Sequence, residues 1–90
     1  MARLLKTNGE IVEIEPKNGK KFSLEEAQQY VDGYVEVVQL KHREILICNE
    51  EGIIRDMDYN LNATALLKSS YGPGAQRLYG NVIHCLSKEF

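Results

Sequence analysis

Apolar residues are densest between Gly33 and Asn49, where two runs rich in β-branched and aromatic residues flank a charged turn. The runs are Tyr34–Leu40 and Glu44–Cys48, and the turn between them is Lys41–Arg43. This pattern is typical of two paired antiparallel strands. Because both runs are largely apolar on both faces, we predict that the hairpin occupies the middle of a sheet.

Four further segments have the pattern of strands. An Asn8-Gly9 pair, which favours the positive φ values of a tight hairpin turn, separates Ala2–Lys6 from Glu10–Glu15. The alternation within Glu10–Glu15 predicts one buried face. Ile53–Arg55 is expected to follow the central hairpin as a third antiparallel strand, and Asn81–Leu86 closes the chain as an apolar strand.

Helical spacing of apolar residues begins after Ser23 and continues to Asp32. Ser23 and Glu26 have the spacing of a capping box, in which each side chain accepts from the other residue's backbone N–H. Gly33 then ends the helix, because glycine accepts a left-handed backbone conformation without a Cβ penalty. A shorter second helix is predicted over Leu61–Lys68, before the Gly- and Pro-containing segment that follows.

These elements predict a single α+β domain over residues 1–90, with a core from about residue 2 to 86 and a frayed tail at 87–90. The expected fold is a five- or six-stranded antiparallel or mixed sheet with two helices, the longer of which packs on one face. A chain of 90 residues fits one domain of this size.

Composition and charge argue against nucleic-acid binding and against a membrane-spanning segment. The net charge of −2 is too small to indicate a nucleic-acid footprint, and no apolar segment approaches the roughly 18 residues of a membrane span. The short apolar run after Met1 does not have the length of a signal peptide, so we predict a cytoplasmic protein without membrane association. Cys48 and Cys85 lie in apolar strand contexts and are expected to be buried free thiols.

Motifs that bind metals are incomplete. Asp56-x-Asp58-x-Asn60 resembles the opening of a calcium loop, but Leu61 stands where the loop requires glycine and Leu67 where it requires a bidentate glutamate. No spacing typical of a zinc site supports a metal at the histidines and cysteines. We therefore predict no metal and no cofactor.

Catalysis is not predicted either. His84 and Cys85 are adjacent, but neighbouring residues of a strand project to opposite faces and cannot form a thiolate-imidazole pair there. Both are therefore interpreted as core residues with satisfied hydrogen bonds. With no assembled set of acid, base and nucleophile, the protein is predicted not to be an enzyme.

Two neighbouring segments carry the polar residues most suited to binding. Amides and hydroxyls at the start of the second helix serve either as helix caps or as contact groups. The segment Gly72–Arg77 exposes backbone N–H groups beside an arginine that could pair with a phosphate or carboxylate, although a plain connector is the simpler interpretation. Tyrosines, amides and arginine together have the composition of a recognition surface. The candidate binding residues are Tyr59, Asn60, Asn62, Thr64, Tyr71 and Arg77.

The order of motifs resembles a family of small phage and plasmid proteins, known as domain of unknown function 3846. The resemblance covers residues 2–86 and rests on an N-terminal hairpin, a capped helix and four motifs. These are Gly33–Val38, Cys48–Gly52, Asn60-x-x-Ala63-Thr64 and Gly80–Ile83. It implies a compact α+β fold and an origin in a phage or mobile element, and it brings no catalytic residues.

Two functions are consistent with these features. The first is a small non-enzymatic accessory protein of a phage or mobile element, which binds a host or phage macromolecule and in one version counters host defence. The alternative is a binder of a nucleotide or other small anion, which would use the loop from Tyr71 to Arg77. The chain is expected to be a monomer or a homodimer, because an exposed strand edge is a template for another chain.

Overall fold

Two β-hairpins and a closing strand form one sheet with a helix on each face. The structure is a computed structural model that describes all residues, Met1–Phe90. The strands are β1 (Arg3–Leu5), β2 (Ile11–Glu13), β3 (Val35–Gln39), β4 (Glu44–Asn49) and β5 (Val82–Leu86). The helices are α1 (Leu24–Val31) and α2 (Leu61–Tyr71), and a 3-10 turn covers Ser87–Glu89. The predicted α+β class is therefore confirmed.

The strand order is β2-β1-β5-β4-β3, and every neighbouring pair is antiparallel. The closing strand β5 lies at the centre, between β1 and β4. Both predicted hairpins are present, but the prediction that the second hairpin lies in the middle of the sheet is wrong for one of its arms. The β4 strand is central and buried, whereas β3 is an edge strand whose residues are exposed or half-buried.

The segment Ile53–Arg55 is not a strand, which corrects the prediction of three consecutive strands. It lies in a series of tight turns. The Asn49 side-chain oxygen accepts from the Glu51 N–H at 2.7 Å, and the Arg55 N–H donates to the Glu51 carbonyl at 2.8 Å. The guanidinium of Arg55 lies 3.5 Å from the Asp32 carboxylate. These contacts hold the backbone in turns, so β3 keeps an unpaired edge.

The other edge strand, β2, is exposed along its whole length, so the prediction of one buried face there is wrong. Ile11 and Val12 are 50% and 39% exposed. Alternation of apolar and charged residues marks the two faces of a strand, but burial needs an element packed against one of them. Neither helix covers β2 in this fold, and only Ile14, just beyond it, packs against the core.

The first helix begins at the predicted capping box. The Glu26 N–H donates to the Ser23 hydroxyl at 3.1 Å, and the Glu26 carboxylate accepts from the backbone N–H groups of Ser23 (3.0 Å) and Lys17 (2.8 Å). Hydrogen bonds from Ser23 and then Lys17 hold the pKa of Glu26 below its usual range. At the other end Asp32, not Gly33, takes the left-handed conformation, with φ 61°.

The second helix is longer than predicted and is the longer of the two, which corrects the sequence-based interpretation. It continues to Tyr71, so the segment that begins at Ser69 does not end it. Two tertiary contacts hold this last turn. The Ser70 hydroxyl accepts from the Lys41 N–H at 3.3 Å, and the Tyr71 hydroxyl donates to the Gln39 carbonyl. Both partners lie at the end of the β3–β4 hairpin, which no local sequence signal could indicate.

The core consists of two clusters, one on each face of the sheet. Alternation along β4 divides its side chains, with Ile45 and Ile47 on the α1 face and Leu46 and Cys48 on the α2 face. The first cluster adds Phe22, Ala27, Val31, Ile83 and Cys85, and the second adds Leu5, Ala63, Leu67, Leu78 and Val82. Neither helix has the length and apolar character that crossing a membrane requires.

The last residues are tied to the domain, in contrast to the frayed tail that the sequence indicated. The Glu89 carbonyl accepts from the Phe22 N–H at 2.8 Å, and its carboxylate accepts from the Leu86 N–H at 2.8 Å. The same carboxylate lies 3.2 Å from the amino group of Met1. Phe90 packs against the first cluster. The C-terminal residues therefore close one end of the core.

Candidate functional site

Asn60, a candidate binding residue, is fully buried and makes hydrogen bonds only within the chain. Its side-chain oxygen accepts from the Ala63 N–H at 3.0 Å and caps α2. Its amide group donates to the carbonyls of Leu5 (2.9 Å) and Gly80 (2.8 Å). One side chain thus joins the start of α2 to the end of β1 and to the loop before β5. The capping interpretation is correct, and a partner could not contact this residue.

Thr64 and Asn62 also make contacts within the domain. Thr64 is 1% exposed, and its hydroxyl accepts from the Leu78 N–H at 2.9 Å. Asn62 is half-buried, and its amide donates to the carbonyl of Gly9 at 3.3 Å. The polar cluster at the start of α2 therefore connects α2 to the first hairpin and to the loop after the helix. It is not an open recognition surface.

The two candidate tyrosines, Tyr59 and Tyr71, lie in different parts of the domain. Tyr59 forms an isolated antiparallel bridge with Tyr79, and their rings pack edge to face with centroids 5.9 Å apart. Tyr71 is 61% exposed, and its hydroxyl donates to the backbone of Gln39 at the edge of the sheet. The structure therefore does not bring the six candidate residues together into one site.

Arg77 lines a cleft of about 290 Å³ on the α2 side of the sheet. Its charged neighbours in the cleft are the carboxylates of Glu36, Glu50 and Glu51, and none of these four side chains forms an ion pair. Tyr71 does not line this cleft. Three carboxylates beside one guanidinium disfavour an anion by Coulomb repulsion. Tyr71 and Arg77 therefore do not share this cleft. We call it the acidic cleft.

A buried polar cluster, which the sequence did not indicate, lies on the α2 face. His84 is 3% exposed, its Nδ1 lies 2.6 Å from Nη2 of Arg3, and its Nε2 lies 2.6 Å from a carboxylate oxygen of Glu44. Since a guanidinium only donates, Nδ1 accepts, and the ring proton is on Nε2 and donates to Glu44. The ring is therefore a satisfied core group, as predicted, and both of its nitrogens are occupied.

The two cysteines are buried free thiols, as predicted. They lie on opposite faces of the sheet. Burial raises the pKa of Cys48 to about 12, with a smaller effect of the Glu36 charge. Burial likewise raises the pKa of Cys85 to about 12, with the Glu89 charge acting in the same direction. Since the thiolate is the nucleophile, neither residue is activated at neutral pH.

Neither thiol is expected to react with iodoacetamide in the folded protein at pH 7.5. Each should be modified only when the domain opens, because the side chains are buried and protonated. Mass spectrometry of the intact protein after timed exposure would measure this, with the same reaction in 6 M guanidinium as the control. Rapid labelling of either cysteine without denaturant would contradict the expected burial.

A surface of exposed apolar side chains lies beside the acidic cleft. Ile53 and Ile54 line the cleft and are 71% and 83% exposed, because the turn after β4 projects them outward. Tyr34 is 68% exposed, and its carbonyl accepts from the Glu50 N–H at 2.9 Å, which places it beside the same turn. The sequence does not indicate this surface, because two consecutive isoleucines are also the pattern of a buried strand. We call Tyr34, Ile53 and Ile54 the apolar surface.

No group of three or more histidine, cysteine, aspartate or glutamate side chains lies close enough to hold a metal ion. The aspartates of the incomplete calcium loop, Asp56 and Asp58, are both exposed.

Comparison with models of protein families matches residues 1–89 to one family, described as Domain of unknown function (DUF3846). No curated protein and no solved structure matches the chain.

Proposed function

The chain belongs to the DUF3846 family, whose description names no activity, and from its own geometry we propose that it is a non-enzymatic protein-binding protein. In this proposal it is an accessory protein of a phage or other mobile element and acts in the cytoplasm of the bacterial host. It binds a host or phage protein, and proteins of host defence are among the candidate partners.

The observation that carries this proposal is the apolar surface. Leaving a large aliphatic side chain in water forgoes about 1.5–3 kcal/mol of burial free energy. Single exposed apolar residues are common, but adjacent ones beside a cleft are typical of interaction sites. Ile53 and Ile54 do not contribute to either core cluster. Their exposure is therefore explained most simply by burial against a partner.

Electrostatics support a protein partner over the alternative of a small anion or a nucleic acid. The acidic cleft presents three carboxylates against the single guanidinium of Arg77. Phosphate groups would be repelled there, whereas a protein surface with lysine or arginine would be attracted. Because Tyr71 does not line this cleft with Arg77, the cleft favours the protein partner over the alternative of a nucleotide bound by these two residues.

Affinity purification from host cells tests this proposal. We expect the tagged wild-type protein to recover a stoichiometric host or phage protein. The double variant Ile53→Ser/Ile54→Ser should lose it, because the central apolar contacts of an interface carry most of its binding energy. Quantitative mass spectrometry of the two eluates would measure the ratio, and we expect at least a tenfold loss.

The matched control is Leu61→Ser, which changes a 68% exposed leucine at the start of α2, outside the acidic cleft and the apolar surface. This variant should retain the partner, and all three proteins should melt at similar temperatures because the replaced side chains are exposed. Recovery of the same proteins by the double variant, or no stoichiometric partner for the wild type, would overturn the proposal.

A further inference from the structure

The β3 strand has an unpaired edge whose backbone groups can be identified. The Leu40 N–H donates to the Glu44 carbonyl at 2.8 Å, and the Glu50 N–H donates to the Tyr34 carbonyl at 2.9 Å. Hydrogen bonding between antiparallel strands alternates along the chain, so even-numbered residues of β3 bond to β4. The N–H and C=O groups of Val35, Val37 and Gln39 therefore point away from the sheet.

One of these outward groups is already occupied. The Gln39 carbonyl accepts from the Tyr71 hydroxyl, so the C-terminal end of α2 covers the last part of the edge. Val35 and Val37 have no such cover, and the Val37 side chain is 41% exposed. The open part of the edge thus offers two residues with alternating donors and acceptors, as in strand addition.

The open edge has few of the features that protect edge strands from other chains. Such edges commonly carry charged side chains, above all lysine, or contain proline or a bulge, or are very short. Glu36 is the one charged residue of β3. The Val35–Gln39 segment contains no lysine, proline or glycine, and its five residues pair with β4 in continuous register. By contrast, the β2 edge has only three residues, one of which is Glu13, and Glu10 directly precedes it. The difference indicates that β3 is the edge on which a strand adds.

Charge next to the open edge specifies the kind of strand. Glu36 lies between Val35 and Val37 and lines the acidic cleft with Glu50 and Glu51. A strand that paired here would place alternate side chains beside Glu36, on the face of the sheet that carries the acidic cleft. Lysine or arginine at those positions would be attracted to Glu36 and toward the other carboxylates of the cleft, and the intervening side chains would pack on Val37.

A second copy of this chain fits the edge poorly. Two-fold antiparallel pairing about Val37 would place Glu36 of both copies on one face as diagonal neighbours, roughly 7–8 Å apart. Two carboxylates at this separation repel each other. Charge complementarity therefore favours a different, basic chain.

We propose that the open edge of β3 at Val35 and Val37 receives an extended, basic segment of the partner protein as a sixth strand, with its lysine or arginine side chains on Glu36, Glu50 and Glu51. This inference deepens the proposed function and rests on it. The apolar surface would then contact the residues that flank the added strand.

A synthetic peptide of alternating lysine and valine, seven residues long with blocked ends, is the probe. In NMR titrations at low salt we expect the largest amide shifts at Val35 and Val37, together with at least fivefold slower exchange of these two amides. The peptide with glutamate in place of lysine should cause neither effect, and Glu36→Gln should weaken binding of the lysine peptide several-fold. Absence of perturbation at both valines would overturn the inference.

The variant Val37→Pro removes an outward N–H without removing a hydrogen bond to β4, and proline is tolerated at such edge positions. Val37→Thr, which keeps the N–H, is its control. We expect Val37→Pro to lose the peptide and the cellular partner, and Val37→Thr to keep both. If Val37→Pro keeps the partner, strand addition is wrong while the proposed function stands; if the wild type recovers no partner, the proposed function fails instead.

Analytical ultracentrifugation of the wild type tests whether a second copy of the chain occupies the edge instead. A monomer that binds the lysine peptide supports the inference. A wild-type dimer that Val37→Pro converts to a monomer would show that a second copy occupies the edge, which would overturn it.

Discussion

Replacing Asn60 with alanine is expected to lower the free energy of unfolding by about 3 kcal/mol, because one buried side chain satisfies three backbone groups. The variant loses the cap of α2, which is worth about 1 kcal/mol. It also leaves the buried carbonyls of Leu5 and Gly80 without the amide that donates to them at 2.9 and 2.8 Å. Each such loss costs about 1 kcal/mol or more.

Chemical denaturation at pH 7 would measure the effect. For a domain of this size, about 3 kcal/mol lowers the melting temperature by roughly 12–24 °C. Asn62→Ala is the matched control, because it removes a longer hydrogen bond (3.3 Å) from a half-buried asparagine on the same helix. We expect it to cost about 0.5 kcal/mol or less. Equal effects of the two substitutions would contradict the structural role of Asn60.

Replacing His84 with alanine should lower the free energy of unfolding by about 3 kcal/mol as well. The substitution opens a cavity on the α2 face of the sheet and leaves Arg3 and Glu44 without the ring nitrogens that lie 2.6 Å from each. A buried or half-buried charged group that loses its partner costs more than the hydrogen bond itself contributes. The measurement is again chemical denaturation at pH 7.

A second variant, Glu44→Gln, tests whether the His84 ring donates to Glu44 as a neutral group. Because Arg3 donates to Nδ1, Nε2 is the donor, and the glutamine side-chain oxygen can accept from it as the carboxylate does. We expect a loss of about 1 kcal/mol or less from this exchange. A loss from Glu44→Gln as large as that from His84→Ala would show that the ring is held by an ion pair instead of by the neutral tautomer.

The candidate site was only partly accessible to sequence reasoning. The sequence correctly indicated that Asn60 caps a helix and that His84 and Cys85 project to opposite faces, since both follow from local geometry. It could not indicate that Arg3 meets His84, because these residues are 81 positions apart and only the β1–β5 register joins them. Nor could it place Arg77 beside three carboxylates, which come from β3 and from the turn after β4.

Local pattern and chemistry determined the elements of this protein: the Asn8-Gly9 hairpin, the capping box at Ser23, and the strands of the central hairpin. These elements depend on contacts between residues a few positions apart, so a short stretch of sequence is enough to predict them. The order of the strands and the exposure of their side chains depend on which other element packs against a given face or edge. Only the tertiary structure decided that β5 is central, that β2 remains uncovered, and that turns at Ile53 leave β3 open. The features that carry the proposed function, an apolar surface and an unpaired edge, are of this second kind, because they are defined by what does not pack on them.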